Sequence, residues 1–399
     1  MSHLPRPITV LLLLSVAACS RGESQFDAIV AAAAERVVPR VEQAVGLTFR
    51  TPPDIQIRTR EQVTAYLERK FETDLPPERV AGIEAAYTMF GLIPDSMDLR
   101  ALLLPLYSEQ VVGFFDPDSN ALYMIDGTDE LQVALILAHE LVHALQAQYT
   151  ALDSILSIEE NDVVVAAQAT MEGQATLAMI SAMIPGQDIN MIPDFWETYR
   201  AQIRAGQEQM PVFNTAPKII QETLIFPYLE GAIFNNWFKQ NYPDTVPYGP
   251  RLPVSTEQIL HPYKYREADL PVRLRFEDGA ALMYQNGLGE LETRIMLQEL
   301  TGSMSVGTAG ALGWDGDQYG VFVEGDDHAL VWWTVWDNER LADRFEELLA
   351  SEWTHREAPG RRFEVDRGTL AGQAAVRLID APESWSGWSD PPAVSVIEN

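Results

Sequence analysis

His139-Glu140-Leu141-Val142-His143 reads H-E-x-x-H and lies inside an apolar, helix-length run from Glu130 to Tyr149. Residues four apart share one face of a helix, so both imidazoles point the same way, one turn apart. That spacing lets two ring nitrogens reach one tetrahedral Zn²⁺. Glu140 follows the first histidine directly, which places its carboxylate beside a metal-bound water rather than on the metal. The pattern therefore supplies two ligands and a general base for metal-assisted hydrolysis. The chain holds six histidines in 399 residues, so chance rarely meets this spacing. The context agrees. Asp129 is placed to cap the helix, with Gln132 three residues on. Leu131, Val133, Leu135, Leu137, Leu141 and Leu145 make the run apolar on nearly every side, the pattern of a central buried helix. Two histidines and a glutamate there need a partner. A merely structural histidine pair is the competing reading.

Catalytic zinc takes three protein ligands and leaves one position open. The metzincin extension of the motif needs glycine at 146 and histidine at 149. Gln146 and Tyr149 stand there, which excludes that class. A glutamate on a following helix is the alternative. Glu172 lies mid-helix in the small, apolar run Val163 to Ala175, where a charge requires a partner. Gly173 beside it permits close packing, expected against the motif helix. Asp153, Glu159, Glu160 and Asp162 compete, but lie nearer a loop or helix start, where solvated charge is ordinary.

A motif helix followed by a second helix bearing Glu172-Gly173 resembles the gluzincin branch of the zincin metallopeptidases, the group that includes thermolysin. The likeness covers Gln110 to Met179. Ser255-Thr256-Glu257-Gln258-Ile259-Leu260-His261-Pro262 and Gly313-Trp314-Asp315-Gly316-Asp317-Gln318-Tyr319 are similar to segments of poorly characterised bacterial zincin-like proteins. The thermolysin group's aspartate four residues beyond its glutamate is absent, because position 176 is Thr. The resemblance implies His139, His143 and Glu172 on Zn²⁺. It also implies peptide-bond hydrolysis with Glu140 as general base on a zinc-bound water, acting on a peptide or protein substrate. The tetrahedral oxyanion needs a further donor, for which His261, in a proline-rich loop, and Tyr228 are the candidates. The alternative is an inactive zinc-holding lipoprotein that binds peptides or scaffolds an envelope complex. An intact Glu140 speaks against it.

The first residues read as an export signal. Arg6 gives a positive start, and the apolar core Ile8 to Ala18 is too short to span a bilayer. Val16-Ala17-Ala18-Cys19 resembles the lipobox of bacterial lipoproteins, which implies cleavage before Cys19 and a lipid on its thiol. Cys19 is the one cysteine of the chain, so no disulfide is available. The expected location is the bacterial cell envelope, most simply the periplasmic face of the outer membrane, with the membrane reached through the lipid. Acidic residues number 58 against 28 basic, a formal charge of −30. Such a surface keeps a protein dispersed and repels nucleic acid, which is not expected as a partner. Nothing in the sequence fixes an oligomeric state.

The expected fold class is α+β: a zincin-like, mostly helical peptidase domain with a small antiparallel sheet, over residues 26–301, then a C-terminal α+β subdomain over 302–399. Residues 1–18 are the signal and 19–25 a tether. Helices are expected over Phe26–Val45, Arg60–Phe71, Pro76–Met89, Ile158–Met183, Phe195–Ala205, Ile219–Asn241 and Leu288–Leu300. Ile55–Arg58 alternates like a strand. Glu109–Phe115 and Ala121–Ile125, joined by a turn at Asp116–Asn120, form a hairpin just before the motif helix. In zincins an edge strand in this position pairs with extended substrate. Beyond Gly302 the pattern is β-β-α-β-β: Tyr319–Glu324, Ala329–Trp336, helix Asn338–Ser351, Arg362–Val365 and Ala374–Ile379. Asp315 and Asp317 are too few for an EF-hand calcium loop and read as a glycine-rich turn. His328 faces solvent at a hairpin, and the last dozen residues read as a disordered tail.

Overall fold

The computed structural model describes residues 25–74, 76–117, 119–151, 158–277, 279, 281–356 and 358–397. The expected signal, Cys19 and Asp153 lie outside them. The fold is α+β, as composition and periodicity indicate.

Helix α1 (Gln25–Val45), strand β1 (Asp54–Arg58), helices α2 (Arg60–Asp74), α3 (Pro77–Phe90) and α4 (Leu99–Gln110), and strands β2 (Gly113–Asp116) and β3 (Ala121–Ile125) lead into the motif helix α5 (Glu130–Tyr149). Strand β3 is the middle of a three-stranded sheet, parallel to β1 and antiparallel to β2. Among the described strands β2 is an edge, and it lies against α5: a Cβ added at Gly113 would fall 2.7 Å from the Ile136 side chain. Helix α6 (Asn161–Met183) packs beside α5. Val30, Val37 and Val41 of α1 close a core over Val133, Leu137, Leu141 and Leu145 of α5 and Ala175 and Ala178 of α6. Helices α7 (Phe195–Gln207) and α8 (Lys218–Asn241) follow, and α8 lies along α6.

The remainder is built on a five-stranded antiparallel sheet in the order β5-β6-β7-β9-β8. Its strands are β5 (Leu282–Asn286), β6 (Trp314–Glu324), β7 (Asp327–Trp336), β8 (Arg361–Leu370) and β9 (Gln373–Pro382). Helices α9 (Gly289–Thr301), α10 (Met304–Ala311) and α11 (Glu339–Trp353) accompany it. The fully buried Trp332, Trp336, Trp353 and Phe345 form the centre of the large core, which reaches Phe90 of α3 and Phe226, Phe234 and Phe238 of α8.

Several expectations are corrected. The run from Glu109 to Phe115 is not one strand, because α4 continues to Gln110 before β2 begins at Gly113. The proline-rich stretch from Tyr242 to Pro262 contains a helical turn, Thr256–Leu260, capped when the Gln258 N–H donates to the Ser255 hydroxyl. The C-terminal sheet draws on residues before Gly302, since Tyr284–Asn286 pair with Tyr319–Val321. That pairing is long-range, and no change of composition marks it. The Asp315–Asp317 segment is strand, with a bulge between Trp314 and Gly316. Buried Asp317 accepts from the backbone N–H groups of Leu288 and Gly289 and the indoles of Trp314 and Trp332, so its role is to join β6 and β7 to the start of α9. The expected tail contains strand β10 (Val394–Val396), paired with β4 (Leu274–Phe276).

Candidate metal centre

The Leu131 N–H donates to the Asp129 carboxylate, which starts α5 just after the Ile125–Thr128 turn leads the chain away from β3. Val133, Leu137, Ala138, Leu141, Val142, Ala144 and Leu145 are buried, but the helix is not covered on every side. Leu131 is 85% exposed and Leu135 38%. Both lie on the same stripe as His139, at four-residue steps. One face of α5 is therefore open toward solvent, and that face carries the motif.

His139, His143 and Glu172 converge. His139 Nε2 lies 3.0 Å from Glu172 Oε2, His143 Nε2 lies 3.3 Å from the same oxygen, and the two ring nitrogens are 3.2 Å apart. Ligand atoms at tetrahedral angles on Zn²⁺, with bonds of about 2.0–2.1 Å, are separated by about 3.3 Å. The donor triangle thus has the size of one face of a zinc tetrahedron, and its nitrogen and oxygen atoms are of the types zinc takes. The three residues fit the ion. Among the described residues they are also the one group of three or more such side chains near enough together to share a metal. The competing acids are engaged elsewhere: Asp162 accepts from Thr256, Glu160 pairs with Arg273, and Glu159 is exposed.

Burial alone would lower the pKa of His143, but the Glu172 carboxylate outweighs it and raises the ring to about 9. Burial likewise opposes the Glu172 charge, and the facing histidines, His143 foremost, hold it ionised well below the usual carboxylate range. Glu140 lies beside this group without belonging to it. Burial raises its pKa, opposed by His139 and His143, assisted by Glu172, and opposed by the backbone N–H of Phe115 on β2. A carboxyl so placed is a stronger base than an ordinary glutamate.

Tyr228 comes to the same place. Its ring centroid is 5.9 Å from that of His139, and its hydroxyl bonds Glu172. The charge of Glu172, reinforced by that of Glu140, raises its pKa well above the ordinary tyrosine value, so it keeps its proton as a donor. The reason is the crossing of α6 and α8. A Cβ on Gly173 would lie 2.1 Å from the Gly231 carbonyl carbon, and one on Gly231 would lie 2.1 Å from the Ala169 oxygen. Gly173 thus serves close packing against α8, and the expectation that it faces the motif helix is corrected. Tyr228 precedes Gly231 by one turn and shares its face. The Asn235 amide donates to Thr170 O and Gly231 O, fixing the crossing further.

His261 is not part of this group. Its Nε2 is 2.8 Å from Glu290 Oε1. Glu290 adjoins Gly289, which lies directly against Asp162 at the start of α6. Asp162 and Glu172 are ten residues apart on one helix, about 15 Å. A histidine in a proline-rich loop looks free in the sequence, but a buried glutamate 29 positions on holds it.

Gln146 stands in the sequence only as a departure from the metzincin pattern, yet it adjoins the centre. Its Oε1 lies 2.9 Å from His143 Nδ1, and its Nε2 donates to Met171 O at 2.9 Å and Gln174 Oε1 at 3.0 Å. An amide three residues after a histidine, in a run otherwise apolar, is the signal that points to it, because a buried amide needs partners.

Residues 281–383 match a sequence family described as a domain of unknown function, DUF8575. The match spans the five-stranded sheet and its helices and does not reach the metal centre. No curated protein and no solved structure matches the chain.

Proposed function

We propose that this protein is a zinc-dependent peptide hydrolase of zincin-like architecture, with Zn²⁺ held by His139, His143 and Glu172. The observation that carries the reading is the tetrahedron-sized donor triangle on two adjoining helices, beside a carboxylate, Glu140, that is not one of its corners. A Zn²⁺ in that triangle supplies Lewis acidity, which lowers the pKa of a coordinated water and polarises a carbonyl.

The chain's own groups have defined parts in such a reaction. Glu140 accepts a proton from the attacking water and returns it to the leaving amine. Tyr228 keeps its proton and donates a hydrogen bond to the oxygen on which negative charge develops. Strand β2, an edge among the described strands, lies against α5, where an extended peptide can add as a further strand through backbone bonds. Open Leu131 and Leu135 border the approach. Attachment to the cell envelope through a lipid on Cys19 belongs to the same proposal and rests on the lipobox-like Val16–Cys19 alone.

The test pairs metal content with cleavage. Purified protein is expected to bind one Zn²⁺ by elemental analysis and to cleave members of a peptide library. Glu140→Gln should retain the metal and lose at least about 10²-fold in rate, the usual scale of a general base. Equal cleavage by mutant and wild type removes the assignment.

A further inference from the structure

Gln146 has the bonding pattern of a group that prepares His143 for metal. Its Nε2 faces two oxygens, Met171 O and Gln174 Oε1, at 2.9 and 3.0 Å. A backbone carbonyl can only accept, so the nitrogen end of the amide must point there. The oxygen end then faces His143 Nδ1 at 2.9 Å, and that contact is a hydrogen bond only if Nδ1 carries the proton. A neutral imidazole protonated at Nδ1 has its free lone pair on Nε2. Nε2 is the atom that meets His139 Nε2 and Glu172 Oε2. The same amide reaches across to Met171, the residue immediately before Glu172, so one side chain ties the histidine of α5 to the chain segment that carries the third donor.

We infer that Gln146 is a positioning residue that fixes the His143 tautomer with Nε2 free for metal and sets the spacing between His143 and Glu172. The inference rests on the zinc reading above. The side chain is buried, and its three bonds all go to the two helices that form the centre. It is uncharged, so it orients the ring without adding a negative charge behind it. Those bonds go to neither Glu140 nor the open face of α5, so its effect falls on metal affinity and not on the proton-transfer step.

The experiment measures Zn²⁺ affinity of the full chain by chelator competition for wild type, Gln146→Leu and Gln174→Leu. Gln146→Leu is expected to bind zinc about 10- to 100-fold more weakly, the range for loss of a partner behind a ligating histidine. Gln174→Leu removes one of the amide's two bonds to α6 but leaves the bond to Met171 O and the acceptor for Nδ1–H, and should stay within about threefold of wild type. Equal losses in both variants, or no loss in Gln146→Leu, overturn the inference. A second measurement needs no variant: ¹⁵N spectra of histidine-labelled, zinc-loaded wild type. His143 is expected to show a protonated Nδ1 and a metallated Nε2, and a metallated Nδ1 overturns the inference even if Gln146→Leu fails to fold. Zinc binding with no peptide cleavage would sink the hydrolase reading and leave Gln146 in its role. Zinc binding indifferent to Gln146 would do the reverse.

Discussion

Replacing Gly231 by alanine tests how the centre is assembled. A Cβ there would lie 2.1 Å from the carbonyl oxygen of Ala169, about 1.3 Å inside ordinary van der Waals contact. The obstacle is backbone, in the middle of a helix whose own neighbours are buried, so it cannot turn aside as a side-chain tip would. Helices α6 and α8 must part, and packing along both is lost. Overpacking of this kind costs about 1–3 kcal/mol, and rigid atoms on both sides place Gly231→Ala near about 3 kcal/mol. At about 1.2 °C per kcal/mol for a chain of this size, the melting temperature should fall by about 4 °C. Gly206 is the control. It is also helical, but an added Cβ meets nothing within 4 Å, so Gly206→Ala should be neutral or stabilise by up to about 1 kcal/mol. The two variants are compared by calorimetry of the metal-free full chain. Zinc affinity should change little in Gly231→Ala, because the three donors sit on α5 and α6. Cleavage should fall by about 10²-fold, because Tyr228 travels with α8 and a shift near about 1 Å is enough to misplace it. A melting temperature within about 2 °C of wild type would refute the claim that this contact sets the helix spacing.

Two further outcomes follow from named groups. Tyr228→Phe should lower kcat by about 10²-fold with KM near wild type, as expected when a donor to the developing charge is removed; a change confined to KM would instead mark substrate binding. The fold should also lose stability as pH rises. Burial pushes Asp162 to about 7 and Glu292 to about 8, while the unfolded chain releases these protons near about pH 4. Their contribution is therefore complete below about pH 4 and is lost as pH climbs to about 7 and 8, at about 1.4 kcal/mol per unit for each group. Melting curves from about pH 5 to 8 should show the decline, and Asp162→Asn should flatten it. A slope identical in that variant would mean Asp162 is ionised in the fold.

Much of the centre is legible in the sequence, because its signals are local. The two histidines, the cap at Asp129 and the charge of Glu172 in a small-residue helix each depend on residues within a turn or two. The β2–β3 hairpin is legible for the same reason: two apolar runs flank a polar turn. Helix α4 is not. It is twelve residues long with Pro105 inside it, and a proline in a short apolar stretch hides the helical period. Strand β5 is hidden because its partner residues in β6 lie more than thirty positions away and its own five residues alternate weakly.

The linear chain by itself determined which residue types stand one helical turn apart, and so that two imidazoles and a glutamate share a helix. Only the tertiary structure decided which groups meet them. It chose Tyr228 over His261, gave Gly173 to α8 instead of α5, and placed an amide behind His143. Periodicity describes one helix and its faces. The choice of neighbour depends on where two backbones can approach, and here that was settled by a pair of glycines, Gly173 and Gly231, far apart in the chain and with no local signature.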